Sequence, residues 1–152
     1  MNVLKVIKKD HSAVQSLFNK FDKTGKSSHE KRLELFEQIR RELHIHSRAE
    51  EEIFYPFIKA LDGNSGRNLI SEAAKEHKEI DELLTQISRL QPRDKNFDDK
   101  IETLFENVEH HIDEEEREIF QFAEENCSEQ QLEDLGREVE DRKKALDRQL
   151  AA

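Results

Sequence analysis

Apolar residues recur along this chain at steps of three and four, the spacing that gathers side chains on one face of an α-helix. The pattern runs through Leu4, Ile7, Val14, Leu17, Phe18 and Phe21, and again through Phe36, Ile39, Leu43, Ile53, Phe54 and Phe57. A third stripe holds Ile70, Ala73, Ile80, Leu84 and Ile87, and a fourth holds Ile101, Leu104, Phe105, Val108, Ile119 and Phe122. These stripes predict helices over about Val3–Phe21, His29–Leu61, Leu69–Leu90 and Phe97–Glu125. Between them lie breaker segments: Lys23–Ser28, with Gly25 and two serines, Asp62-Gly63-Asn64-Ser65-Gly66, and Gln91–Asn96 with Pro92. Pro56 predicts a kink or early fraying near the end of the second helix. Ser128, spaced to Gln131 as in a capping box, opens a fifth helix carrying Leu132, Leu135, Val139, Leu146 and Leu150. The chain has only four Gly and two Pro among 152 residues, which leaves few turns for a many-stranded β fold. The expected architecture is all-α: an up-down-up-down antiparallel four-helix bundle over residues 1–126, with residues 127–152 as an additional C-terminal helix packed on it.

Each stripe is interrupted where an apolar residue belongs. His11 stands between Ile7 and Val14, His46 and Glu50 between Leu43 and Ile53, His77 between Ala73 and Ile80, and His111 and Glu115 between Val108 and Ile119. Six polar side chains therefore point into one bundle. Burying an imidazole or carboxylate without a partner costs on the order of a few kcal/mol. Six such groups would strain a domain whose whole stability is roughly 5–15 kcal/mol. A bound cation satisfies them better than mutual hydrogen bonds do, and imidazole nitrogen with carboxylate oxygen suits iron, manganese or zinc.

The interruptions repeat. His11 precedes His46 by 35 residues and His77 precedes His111 by 34, and an offset of 65 or 66 carries one half onto the other. The same offset maps Asp10 onto Glu76, Glu50 onto Glu115, Glu51 onto Glu116 and Phe57 onto Phe122. Two hairpins, each supplying a histidine and an HxxxE, predict a pseudo-two-fold site with two metals. Each metal takes two histidines, both share Glu50 and Glu115, and a solvent oxygen completes the bridge. Roughly one position per metal then stays open against an octahedral preference. Asp10 and Glu76, next to ligand histidines, are candidates to orient ligands. Tyr55, five residues beyond Glu50, falls off the seam and is expected to serve packing. The runs Glu50–Glu52 and Glu114–Glu116 are expected to be mostly solvated faces. His110, which forms a rival HxxxE with Glu114, faces away from the core, His44 is expected at the surface, and His29 is expected near a helix start and functionally silent.

This constellation resembles the hemerythrin-like family, also called the HHE cation-binding domain, over about residues 1–126. The flanks Glu50-Glu51-Glu52-Ile53-Phe54-Tyr55-Pro56 and Glu115-Glu116-Arg117-Glu118-Ile119-Phe120 are similar as well. The resemblance implies a hemerythrin-like bundle in which His11, His46, Glu50, His77, His111 and Glu115 ligate two iron ions with a bridging oxo or hydroxo group. It implies O2, NO or peroxide as the partner. The oxygen-carrying members have a further histidine one turn before the third-helix ligand, where this chain has Ala73, and a fourth-helix aspartate at another spacing, where it has Glu115. Reaction with a small oxidant is therefore expected ahead of reversible oxygen carriage.

The formal net charge of −10 repels phosphate backbones and anionic lipid, so neither nucleic acid nor membrane is expected as a partner. No apolar run approaches the roughly 20 residues that span a bilayer, no signal-peptide pattern is seen, and Cys127 is the sole cysteine. These features suggest a cytoplasmic protein, monomeric or homodimeric. A ferritin-like carboxylate site needs Glu-x-x-His, and no histidine here has Glu three residues before it. The alternative is a zinc- or manganese-binding, or purely structural, bundle serving as an interaction or sensing module. No substrate-specific catalytic motif is present, so carrier, sensor and enzyme all fit.

Overall fold

The computed structural model describes residues 1–61 and 63–151. Asp62 of the expected break and Ala152 of the expected last helix lie outside them. All regular structure among the described residues is helical. Helix α1 (Val3–Lys23) is capped by Asn2, whose side chain accepts a hydrogen bond from the Lys5 N–H at 3.0 Å. The second rod is α2 (His29–Ala49), a π-helical turn (Glu50–Phe54) and α3 (Tyr55–Lys59) in unbroken succession. Helix α4 (Asn64–Ser88) follows the turn at Gly63, whose φ of 101° favours glycine. The fourth rod repeats the second: α5 (Lys95–Glu114), a π turn (Glu115–Ile119) and α6 (Phe120–Asn126). The capping box predicted for α7 (Glu129–Ala151) forms in both directions. The Ser128 N–H donates to Gln131 Oε1 at 2.8 Å and the Gln131 N–H to Ser128 Oγ at 3.1 Å.

Three expectations need correction. Pro56 neither ends nor frays its helix; a π turn precedes it and the rod continues to Lys59. Asn64, Ser65 and Gly66 belong to α4 instead of the break. Gly66 is needed there because a Cβ would lie 3.0 Å from the Ile58 carbonyl oxygen and 3.1 Å from the Phe122 ring. The apolar stripes also shift by one residue after each π turn. Tyr55 and Ile58, then Phe120 and Ala123, are buried, while Phe57 and Phe122 are only half-buried. Each turn closes a bond from the N–H of the fifth residue on, Tyr55 to the Glu50 carbonyl and Phe120 to the Glu115 carbonyl, which inserts one extra residue into the helical register. Proline is not the cause, because the second turn forms with Gln121 at the matching place.

The core falls into two apolar clusters. One joins Val14, Phe18, Phe36, Ile39, Ile80, Leu84, Phe97 and Leu104. The other joins Val3, Ile7, Phe54, Ile58, Ile70 and Ile119 with Leu132, Leu135 and Val139 of α7. Helix α7 lies against α1, α2 and the first π turn, so it covers the first hairpin. Leu150, placed in the stripe by spacing, is exposed. Between the two clusters sit the six polar residues that interrupt the stripes.

Candidate metal centre

All six predicted site residues are buried, and Glu50 and Glu115 are among the most fully enclosed side chains in the protein. The hairpins bring their histidines together in pairs. The His11 and His46 rings lie 5.1 Å apart, and His77 and His111 lie 4.7 Å apart. Glu50 Oε1 reaches both pairs, at 2.9 Å from His46 Nε2 and 3.3 Å from His77 Nε2. Glu115 spans them with two oxygens, Oε1 at 3.0 Å from His11 Nε2 and Oε2 at 3.6 Å from His111 Nε2. His77 Nε2 and His111 Nε2 approach to 3.1 Å.

Every one of these histidines is held from behind by a carboxylate at Nδ1. His46 donates to Asp10 at 2.9 Å, His111 to Glu76 at 2.8 Å, His11 to Glu116 at 2.7 Å and His77 to Glu51 at 3.3 Å. Asp10 and Glu76 thus each hold a histidine of the candidate centre, and it is the histidine of the neighbouring helix instead of the adjacent one. Glu51 and Glu116 correct the reading of the acidic runs as solvated faces, since both turn inward. The offset that maps Glu51 onto Glu116 was the signal for this. Lys143 of α7 donates to the other oxygen of Asp10. Burial opposes the Asp10 charge, but His46 and Lys143 outweigh it and hold the carboxyl below its usual range.

A carboxylate only accepts, so each ring in its neutral form carries its proton on Nδ1 and turns an Nε2 lone pair inward. The inward atoms are then acceptors facing acceptors. His11 Nε2, His46 Nε2, Glu50 Oε2 and Glu115 Oε1 are buried without a hydrogen-bond partner, despite lying near other polar atoms. Donors about 2.1 Å from one ion and at right angles to each other sit about 3.0 Å apart. The spacings of 2.9–3.3 Å among these atoms match that geometry. The donors within reach of one another form two sets, Glu50 with His77, His111 and Glu115, and His11 with His46 and Glu115. A proton at Nε2 would relieve the same crowding, and the carboxylates accordingly make the His11, His46 and His77 imidazoles hold protons more tightly than usual. Burial pulls His77 down, but its contacts with Glu50 and Glu51 outweigh this and raise it to about 9. His11 and His46 are likewise raised against the opposing effect of burial, by Glu115 and by Glu50 with Asp10.

Tyr55 is the residue that spacing misplaced. It is buried at the centre, its hydroxyl donates to Glu115 Oε2, and it lies 3.2 Å from His77 Nε2 and 3.4 Å from Glu50 Oε1. In an α-helix, residues five apart are turned well away from each other. The π turn brings Glu50 and Tyr55 onto one face. Burial, then the Glu115 and Glu50 charges, raise the phenol far above its ordinary value, so it stays a neutral donor. The matching position in the other half is Phe120, whose ring stacks near His11 at 6.4 Å. His44 and His110 are exposed, as expected, and His29 opens α2.

The family model for the hemerythrin HHE cation-binding domain matches residues 2–123. A crystal structure of a hemerythrin HHE cation-binding domain-containing protein from Mycobacterium kansasii superposes with a TM-score of 0.84 at 27% identity, covering 96% of this chain and 87% of that one. Among curated proteins, a DNA nickase of Nostoc is 31% identical over 150 residues, 99% of this chain and 41% of the relative. An uncharacterized hemerythrin-like protein of Schizosaccharomyces pombe is 31% identical over 90 residues, 59% of this chain and 44% of the relative. The chain spans less than half the length of these two relatives. No described helix is long and apolar enough to cross a membrane. With a family model matching most of its length and a buried set of inward-facing donors, this chain belongs to the hemerythrin HHE cation-binding domain family.

Proposed function

We propose that this protein holds two iron ions between its hairpins, with His11, His46, His77 and His111 as ligands and Glu50 and Glu115 bridging, and that the centre reacts with a small oxidant. The observation that carries the reading is the arrangement of the two carboxylates. Both are enclosed, both span the two histidine pairs, and the atoms around them face one another lone pair to lone pair. Iron bound there would supply reversible one-electron chemistry and an open position for a small ligand.

The chain's own residues support a small ligand. Asp10, Glu51, Glu76 and Glu116 hold the four Nδ1 protons and so keep each Nε2 aimed inward. Tyr55 holds a proton at its hydroxyl oxygen inside the site, where it can donate to Glu115 or to an incoming oxygen atom. The approach past His11, His46, His77 and His111 is narrow and bordered by Val14, Leu43, Ile80 and Val108. Such walls exclude bulky substrates and favour O2, NO or peroxide. The name of the Nostoc relative does not transfer to this reading, because a net charge of −10 opposes contact with nucleic-acid phosphates.

The test is metal content with an absorption spectrum on protein produced with iron available, followed by mixing with peroxide, NO and O2. About two irons per chain, near-ultraviolet charge-transfer bands and a spectral response to at least one of the three support the proposal. Zinc alone, or no metal, removes the redox reading. Iron that responds to none of the small molecules removes the reactivity.

A further inference from the structure

The pseudo-two-fold repeat relates two openings beside the candidate centre, and the chain treats them in opposite ways. On the first hairpin the flanking positions are Val6, Ile7, Ala49 and Ile53. All four are apolar and belong to or pack against the cluster that α7 completes with Leu132, Leu135 and Val139. The offsets of 65 and 66 carry these positions onto Glu72, Ala73, Glu114 and Glu118. On the second hairpin they border a narrow cleft whose walls also include Glu76 and whose inner end is formed by His111 and Glu115. Among the described residues no helix covers that side in the way α7 covers the first, and Ala73 is smaller than its counterpart Ile7.

Two further observations point to a cation. Glu115, at the inner end, is 1% exposed and its Oε1 lacks a hydrogen-bond partner. At the outer end, Glu76, His110 and Glu114 each offer a donor atom within 4.8 Å of the others, and His110 Nε2 lies 3.1 Å from Glu114 Oε1 and 3.5 Å from Glu76 Oε2. Glu76 touches both ends, since its other oxygen accepts from His111 Nδ1. We propose that this cleft is the path by which a divalent cation reaches the buried centre, with Glu76, His110 and Glu114 as the site of first capture. The inference rests on the reading of the six buried residues as metal ligands. A cleft lined by one sign of charge concentrates counter-ions and speeds their arrival. Helix α7 closes the related position on the first hairpin, and of the approaches that remain this cleft is the one bordered by Glu72, Glu76, Glu114 and Glu118. His110, which the sequence presents as a rival ligand, thereby gains a role outside the centre.

The experiment follows Co(II) uptake by the metal-free protein in a stopped-flow spectrometer, reading both the rate and the final number of ions per chain. The double variant His110→Ala/Glu114→Gln is expected to fill to the wild-type end point about 10-fold more slowly. Glu138→Gln on α7 makes the same change in charge away from the cleft and should slow uptake far less. Ala73→Ile, which copies the sealed side without altering charge, should also slow uptake at an unchanged end point. Uptake by the double variant as fast as by Glu138→Gln overturns the path. A reduced end point in the double variant also overturns it, by placing His110 or Glu114 in the centre itself. No Co(II) uptake by the wild-type protein would instead remove the metal centre, and the path with it.

Discussion

Replacing Tyr55 with phenylalanine takes a single oxygen out of the candidate centre and leaves the helix geometry intact. The packing should tolerate it, because the repeat already places phenylalanine, Phe120, at the equivalent point of the second π turn. The lost group is a buried hydroxyl that donates to Glu115 Oε2, a carboxylate that is 1% exposed and short of partners. A hydrogen bond to a charged group contributes about 1.5–3 kcal/mol, and removing a donor from a buried acceptor falls within that range. For a chain of this length, 1 kcal/mol corresponds to about 2–4 °C in Tm, so a loss of about 2 kcal/mol lowers Tm by about 4–8 °C. The measurement is thermal unfolding of the metal-free protein by circular dichroism, with wild type and Tyr55→Phe compared at neutral pH. A shift below about 1 °C, or a gain, would show that Glu115 does not depend on this phenol and would refute the assignment of Tyr55 to the centre.

Other parts of the structure give sharper discriminations. Lys143→Met should weaken cation binding at the His11/His46 position about 10-fold, since Lys143 holds Asp10 and Asp10 holds His46, while Lys143→Arg should restore it. Competition against a chromophoric chelator separates the two positions, and equal weakening at both would contradict the pairing. Gly136→Ala should destabilise the protein by about 1–3 kcal/mol, because a Cβ there would meet the Met1 carbonyl oxygen at 2.1 Å and the backbone of Asn2 at 2.9 Å. Hydrogen exchange should show the loss concentrated in α7 and the start of α1; an unchanged Tm would refute the close approach. Burial raises the Cys127 thiol, so at pH 8 it holds less thiolate than an ordinary exposed cysteine. Its alkylation should be slower than in the denatured chain and should keep accelerating to higher pH; equal rates at pH 8 would refute this.

The bundle and the six buried polar residues were legible because both are written in helical spacing. An interruption such as His77 between Ala73 and Ile80 needs only the 3.6-residue period to be placed inside. What spacing could not supply was a change in that period. Beyond Glu50 and Glu115 each helix takes a π turn, so Tyr55, 140° from Glu50 on an ideal helix at about 100° per residue, comes onto the same face. Phe57 and Phe122, in register on paper, rotate partly out. Glu51 and Glu116 were hidden for a different reason. Adjacent to the buried Glu50 and Glu115 and themselves still partly exposed, they are distinguished from ordinary helix-surface glutamates only by which histidine stands across the bundle.

The repeat predicts two equivalent metal positions, yet the structure keeps the ligands equivalent and makes their surroundings differ. Beside His77 and His111 stands a phenol that donates; beside His11 stands the Phe120 ring, which cannot. Behind His46 the Asp10 carboxylate is tied to an ammonium from α7, while behind His111 the Glu76 carboxylate faces Glu114 and an exposed imidazole. Lys143 fixes Asp10, and through it the His46 ring, from α7, whereas the groups at Glu76, namely His111, His110 and Glu114, all belong to its own hairpin. Two ions in this frame would then differ in affinity and in redox potential, although each sees two histidines and the same pair of carboxylates. Helix α7, which lies outside the span matched by the family model, thus adds to the difference that Tyr55 and Phe120 make between the two halves.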